Sequence, residues 1–183
     1  MGVIGLGSKT SIMRKIVFLV VLIVSIATTS FAQRSQSFTN GKFSIGIDPG
    51  IPVGSSSDFS SFVLGADFKY SLPAARDFDV SLSAGYSVFL GKAIPGTSVN
   101  YADLKAFPFK LAGRYNFNGA TGFFGEFGVG AAFITDGGGT AFVYAPGIGY
   151  ALNGGFEIGA RYEGWSKNGT EGQIGFRLAY TFH

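Results

Sequence analysis

The sequence predicts an all-β fold: an eight-stranded antiparallel up-and-down transmembrane β-barrel, preceded by a cleavable signal peptide. Two observations predict this fold class. The 183 residues include 29 Gly, 20 Phe and 8 Tyr, whereas 14% are charged, and this composition is typical of all-β chains. From Gly41 onward, eight segments alternate large apolar residues with small or polar ones, and none of them shows a helical period.

The N-terminus has the parts of an export signal. Met13-Arg14-Lys15 is a charged region, residues 16–24 are apolar, and Ser30-Phe31-Ala32 supplies small residues for cleavage. The apolar run over residues 16–27 has 12 residues, whereas a membrane-spanning helix needs roughly 20. We therefore expect residues 1–32 to be a signal peptide, with translation starting at Met1 or Met13. Residues 33–40 would then form a short periplasmic segment and residues 41–183 the barrel.

Charge and cysteine content exclude several function classes. The predicted signal peptide contains three of the 14 basic residues, so 11 basic and 11 acidic residues remain. A neutral chain without a Lys/Arg cluster is not expected to bind nucleic acid. The lack of cysteine excludes disulfides, cysteine-based metal sites and a lipid-modified N-terminal cysteine.

The two faces of the alternating segments differ in size and polarity. One face carries three to five Phe, Tyr, Ile, Leu or Val residues per strand, for example Phe109, Leu111, Phe176 and Leu178. The other is mostly Gly, Ala and Ser. It also carries five acidic and five basic residues, which we predict to form a structural charge network in the lumen: Asp48, Asp67, Lys69, Lys110, Arg114, Glu126, Glu157, Arg161, Glu163 and Arg177.

The sizes of these side chains predict which face points inward. An eight-stranded barrel has an interior just wide enough for side chains, and about thirty large apolar residues would not fit there. We therefore expect the apolar face to meet lipid, so that Phe109 and Leu178 are exposed. Strands of about ten residues match a tilted span of the bilayer. The last strand, residues 174–182, should pair with the first, because hydrocarbon cannot satisfy the backbone groups of an open edge.

The connectors predict the orientation and the register. Four longer ones, residues 54–61, 90–103, 136–139 and 164–171, would face outward. Asn118-Gly119 and Asn153-Gly154 are hairpin signals. Directly paired residues share a face, and this condition favours three-residue loops at 117–119 and 152–154. The first of these loops would place Lys110 opposite Glu126.

Four prolines and the single tryptophan need separate treatment. Pro49, Pro52, Pro108 and Pro146 lie within predicted strands, where proline cannot donate to the ladder. We expect bulges or frayed ladder ends there, especially in the upper half of the first strand. Trp165 is predicted to anchor the membrane interface together with Tyr86 and Tyr144.

No catalytic, cofactor or metal site is predicted. Glu126, Glu157 and Glu163 could act as acid and base, but the equal number of Lys and Arg residues on the same face favours salt bridges. The only histidine is His183, which leaves no base to activate a serine. The loop over residues 136–139 supplies one carboxylate, and calcium needs six to eight oxygen ligands.

Three stretches resemble a known family. They are the Ala32-Gln33 cleavage point, the strand over residues 107–117, and the final alternating strand with Phe176, Leu178, Tyr180 and Phe182. With them the chain resembles the small outer-membrane β-barrels of Gram-negative envelopes, the OmpA-like transmembrane domain group. The resemblance implies an outer-membrane location, lipid as a partner and a last strand read by the barrel-assembly machinery. His183 after the terminal aromatic departs from the family pattern. We expect a monomer.

Function is predicted less sharply than fold. The first hypothesis is a structural outer-membrane barrel with a lumen plugged by side chains and outer loops available for adhesion or surface contact. One alternative is a narrow channel or transporter for small or hydrophobic molecules, although aqueous channels appear at about 16 strands. The other is a secreted soluble ligand-binding barrel.

Overall fold

The computed structural model describes residues 41–119, 121–167 and 169–182. The predicted signal peptide and the segment 33–40 lie outside the described residues. Within these ranges the chain forms eight strands and one short helix, and no helix is long and apolar enough to cross a membrane. The elements are β1 (Lys42–Gly54), α1 (Ser56–Phe59), β2 (Ser60–Ala75), β3 (Phe78–Gly91), β4 (Leu104–Asn116), β5 (Gly122–Ile134), β6 (Gly139–Ala151), β7 (Phe156–Ser166) and β8 (Thr170–Thr181).

The strands form a closed antiparallel barrel in sequence order. The last strand pairs with the first, with Ile47 opposite Leu178 and Gly54 opposite Glu171. The predicted closure is therefore confirmed. Closure removes the open edge, whose unpaired N–H and C=O groups would each cost several kcal/mol in hydrocarbon.

The large apolar side chains point outward, as predicted. Phe109 is 46% exposed and Leu178 49%, whereas Lys110 and Arg177 are each 5% exposed. Phe and Ile side chains on the other strands are exposed in the same way. A soluble barrel would show the opposite arrangement, with an aromatic core and charges outside.

The two ends of the barrel differ in their connectors. We call the end that carries residues 54–59, 92–103, 135–138 and 167–169 the loop end, and the end that carries Gly41, the other three connectors and Phe182 the turn end. The strands contain 11 to 16 residues, more than the ten or so expected. All of them except β7 are therefore longer than the roughly 9–11 residues of a tilted bilayer span.

The predicted opposition of Lys110 and Glu126 is wrong. Lys110 lies opposite Gly130, and Arg114 lies opposite Glu126. The connector after β4 is longer than three residues: the last paired residues are Asn116 and Phe124, and the Phe117 N–H donates to the Phe123 carbonyl at 2.9 Å. The register therefore shifts by four residues, an even number, so every side chain keeps its predicted face.

The connector after β6 is also longer than predicted. Ala151 pairs with Glu157, and the Leu152 N–H donates to the Phe156 carbonyl at 2.8 Å. Two glycines, Gly154 and Gly155, take positive φ angles of 85° and 89°. The three-residue loop predicted at 152–154 is therefore wrong by two residues, again without a change of face.

The strand prolines interrupt ladders without bulges. Pairs between β1 and β8 stop at Ile47 and resume at Gly50 in the same register, on either side of Pro49. The β3–β4 and β6–β7 ladders have equivalent gaps at Pro108 and Pro146. Each proline still has a partner on its other side, so one ladder is interrupted while the other remains intact. The expected bulges are therefore absent at these three prolines.

The first strand also frays towards the loop end, as expected. Its pairs with β2 end at Gly50, whereas its pairs with β8 continue through Pro52 to Gly54. The register shifts that the structure does show lie between β2 and β3, near Ser60 and Pro73. Strands β1 and β2 thus separate near the loop end, just below helix α1.

Candidate functional site

The lumen of the barrel is the candidate site, and its contents form three layers. At the loop end lies an apolar group, which we call the loop-end plug: Val63, Phe89, Val143 and Trp165. The ten charged residues predicted to face inward form the second layer, which we call the central network. A polar cavity, which we call the turn-end cup, opens at the other end.

The loop-end plug packs aromatic and aliphatic side chains against one another inside the barrel. Trp165 and Phe89 are each 2% exposed, and their rings meet edge to face with centroids 5.0 Å apart. Val63 and Val143 are fully buried beside them. The prediction that Trp165 anchors the membrane interface is therefore wrong, although Tyr86 and Tyr144 do lie on the outer face.

The sequence contained a signal for the plug. Inward residues of β7 have odd numbers, as Glu157, Arg161 and Glu163 show, and Trp165 continues that series. Phe89 continues the odd-numbered inward series of β3 in the same way. Residue type suggested an interface anchor for Trp165, but the two-residue periodicity of the strand decides its face.

Glu163 connects the plug to the central network. The Trp165 indole Nε1–H donates to Glu163 Oε1 at 2.8 Å. Lys110 Nζ lies 2.5 Å from the other carboxylate oxygen, and Arg161 lies 3.3 Å from it. Because the Glu163 side chain is fully buried, its charge depends entirely on these donors.

Two arginines and two aspartates continue the network from Glu163. Arg161 lies 3.1 Å from Asp48 and 3.8 Å from Asp67, and Arg177 lies 2.5 Å from Asp67 and 3.5 Å from Asp48. Each guanidinium group therefore contacts both carboxylates. This sharing links β1, β2, β7 and β8 across the lumen.

The remaining four charges form two separate pairs nearer the turn end. Lys69 contacts Glu126 at 2.5 Å, and Arg114 contacts Glu157 at 2.6 Å. Arg114 also lies over the Phe124 ring, 3.7 Å from its centroid. Each of the ten predicted charges thus faces the lumen and meets an opposite charge, but Lys110 and Glu126 belong to different pairs.

The lumen also contains polar residues that were not among the predicted site residues. Asn116 accepts from Arg114 Nε at 2.8 Å and donates to Asp79 at 2.8 Å. Gln173 is 3% exposed and has the inward parity of Arg177 on the same strand. The two-residue period of each strand identifies Asn116, Asp79 and Gln173 as inward residues, whereas their contacts depend on the register.

Helix α1 covers part of the loop end and connects two loops. The Ser56 hydroxyl donates to the Gly172 carbonyl at 2.6 Å. The Phe59 ring meets Tyr101 edge to face at 5.2 Å, and the Lys92 N–H donates to the Phe59 carbonyl at 2.8 Å. The loops over residues 54–59 and 92–103 therefore form one joined surface.

The turn-end cup has a volume of about 390 Å³ and a charged lining. Its cations are Lys42, Lys69, Arg76 and Arg114, and its carboxylates are Asp79 and Glu157. Ser44, Asn116 and the connector after β6 also line it. In the described ranges, no three His, Cys, Asp or Glu residues are placed to hold a metal ion.

Solved structures with the same architecture include the Yersinia pestis outer membrane protein Ail in a phospholipid bilayer nanodisc. Its TM-score is 0.55 at 18% identity, and the match covers 78% of this chain and all of that one. The crystal structure of Ail with the heparin analogue sucrose octasulfate matches at a TM-score of 0.52 and 18% identity, covering 78% and 97% of the two chains. The fold is that of the small outer-membrane β-barrels.

A designed protein shares this outer-membrane β-barrel fold. A transmembrane β-barrel designed de novo matches at a TM-score of 0.50 and 10% identity, over 77% of this chain and 95% of that one. No protein-family model and no curated protein sequence matches the chain. At these identities the likeness shows the fold, and the function has to be argued from the site.

Proposed function

We propose that the chain is exported through residues 1–32 and forms a monomeric barrel in the outer membrane of a Gram-negative bacterium, where it presents loops at the surface. One observation carries this proposal: the large apolar side chains cover the exterior, while ionised side chains are buried in pairs inside. Water would penalise the first feature, whereas hydrocarbon requires it. Closure within one chain supports the monomer.

The final strand supports recognition by the barrel-assembly machinery. Phe176, Leu178, Tyr180 and Phe182 all lie exposed on the outer face. They form an alternating apolar row at the turn end, where assembly of the barrel would begin from the periplasm. We propose this row as the assembly signal.

We also propose that the lumen of the barrel is closed to solutes. The loop-end plug and the central network fill successive levels of the lumen, so a solute would have to displace both. The structure offers no comparable support for the narrow channel, because the cavity at the turn end meets buried ion pairs. We therefore place the function at the loop end, in surface contact, and assign no catalytic role to the lumen.

The loop end carries apolar side chains suited to such contact. Phe59 and Val99 are 49% and 60% exposed, and they lie on the joined loops over residues 54–59 and 92–103. Ail, whose fold is similar, is described as an attachment invasion locus protein. We expect a Phe59→Ser, Val99→Ser variant to reduce attachment of expressing cells to a host-cell layer, with Phe43→Ser at the turn end as control.

Membrane fractionation tests the location directly. The protein should appear in the outer-membrane fraction and migrate at different apparent sizes with and without heating, because a closed barrel resists unfolding by detergent. Proteoliposomes made with it should not swell in a small sugar. Recovery in the soluble periplasm would contradict the membrane location, and swelling would contradict the closed lumen.

A further inference from the structure

The turn-end cup contains more positive than negative charge. Four cationic side chains line it against two carboxylates. Arg114 and Glu157 neutralise each other at 2.6 Å, and Lys69 is paired with Glu126 behind the wall. These two pairs leave Lys42, Arg76 and Asp79 in the lining, a net charge of one positive unit. Lys42 and Arg76 form no salt bridge within residues 41–119, 121–167 and 169–182.

The floor of the cup keeps unused hydrogen-bond donors. Lys69 is 5% exposed and donates to Glu126, yet an ammonium group has three N–H donors. Arg114 donates through Nε and NH1, and a guanidinium group has five N–H donors in all. Both side chains line the cavity. The cup thus combines one buried and one partly buried cation at the floor with two exposed cations at the rim.

The size and shape of the cup define the kind of ligand. A volume of about 390 Å³ lies at the lower end of the usual range for small-molecule sites, roughly 300–1,000 Å³. Walls of low dielectric concentrate the field of the cations at the opening. Arginine and lysine together suit oxyanions, because arginine binds them through two parallel hydrogen bonds and lysine acts as a point charge.

We propose that the turn-end cup is a binding site for a small molecule that carries two or more phosphate or carboxylate groups. Lys42 and Arg76 at the rim attract the anion, and Arg114 and Lys69 at the floor hold one of its oxyanion groups. In the orientation proposed above, the cup opens to the periplasm. This site is independent of the loop surface.

Calorimetric titration of the full mature protein in lipid nanodiscs, at 0.15 M NaCl, tests the site. Inorganic pyrophosphate and citrate serve as separate probes, and saturable binding of either one is expected. Saturation with pyrophosphate alone would assign a phosphate ligand, and saturation with citrate alone a carboxylate ligand. The absence of saturable binding for both probes would overturn the proposal.

A matched pair of variants locates the binding. The Lys42→Gln, Arg76→Gln variant should weaken binding at least tenfold, whereas Lys92→Gln, Lys105→Gln removes the same charge at the loop end and should change affinity less than twofold. All four side chains are exposed, so we expect both variants to fold, and heat-modifiable mobility verifies it. Unchanged affinity in the rim variant, or an equal loss in the loop-end variant, would overturn the cup as the site.

Discussion

Glu163 shows how one inward carboxylate can organise the lumen. It accepts from Trp165 in the plug and meets Lys110 and Arg161 in the network, so three side chains on β4 and β7 depend on its charge. A buried ion pair contributes little net stability when intact, but removing one partner leaves an uncompensated charge and costs about 3–5 kcal/mol. Replacement of Glu163 should therefore lower the free energy of unfolding by more than its intact contacts contribute to it.

We predict strong coupling between Lys110 and Glu163. Glu163→Ala should lower the free energy of unfolding by about 3–5 kcal/mol. The loss should be smaller in combination with Lys110→Met, because the orphaned ammonium is then gone. Denaturant titration of the two single variants and the double variant in micelles measures the coupling.

The pair Lys110 and Glu126 provides the matched control. The register places these residues in different ion pairs, so their double-mutant cycle should give a clearly smaller coupling energy than that of Lys110 and Glu163. A larger coupling for Lys110 and Glu126 would instead support the register that the sequence predicts and would contradict the one observed.

At the scale of the elements, the sequence predicted the faces well and the turns poorly. A strand's face depends on a two-residue period that can be read from Phe107 to Phe117 without a partner strand. Register depends on the length of the turn, and Asn118-Gly119 suits both short and long loops. Within each strand, the lumen charges all lie at positions of the same parity. Several registers that keep every face unchanged would therefore bring a basic residue opposite an acidic one. The pairing of Lys110 could therefore not be predicted.

The observed turn predicts a specific glycine requirement. Gly119 has φ of 77°, and a Cβ added there would meet nothing within 4 Å beyond its chain neighbours, so Gly119→Ala meets no clash but must adopt a left-handed backbone. That conformation costs roughly 1–2 kcal/mol for an L-residue. We expect Gly119→Ala to lower barrel stability by about 1 kcal/mol, and Gly119→Asn to lower it less, as measured by denaturant midpoint.

Gly125 is the control for this prediction. A Cβ added there would meet only the Phe117 ring, at 3.8 Å, and its φ is not in the left-handed region. Alanine at Gly125 should therefore leave stability unchanged or raise it slightly, because it reduces the freedom of the unfolded chain. An equal loss of stability at the two positions would show that the connector after β4 does not have the conformation described above.

Across the barrel as a whole, the proposed closure of the lumen rests on two layers of side chains. The loop-end plug contributes apolar packing and the central network contributes ion pairs, and Glu163 touches both. Eight strands enclose a lumen that side chains can fill completely. Gly, Ala and Ser on the inner face leave room for the long side chains of Lys, Arg and Glu. The composition of the inner face and the number of strands thus support the proposed closed lumen.

Two closures in series predict that loss of the plug alone does not open a pore. Trp165→Ala removes a side chain that is 2% exposed, and truncation of a buried aromatic costs about 3–5 kcal/mol. Stability should therefore fall in Trp165→Ala and fall less in Trp165→Phe. Proteoliposomes containing Trp165→Ala should still not swell in a small sugar, because Lys110, Arg161 and Glu163 continue to fill the level below. Swelling should appear when Trp165→Ala is combined with Lys110→Ala and Glu163→Ala, because that variant removes the largest side chain of the plug and the adjoining ion pair together. If Trp165→Ala alone admits the sugar at the rate of the triple variant, the central network is not a barrier and the lumen is closed at the loop end alone.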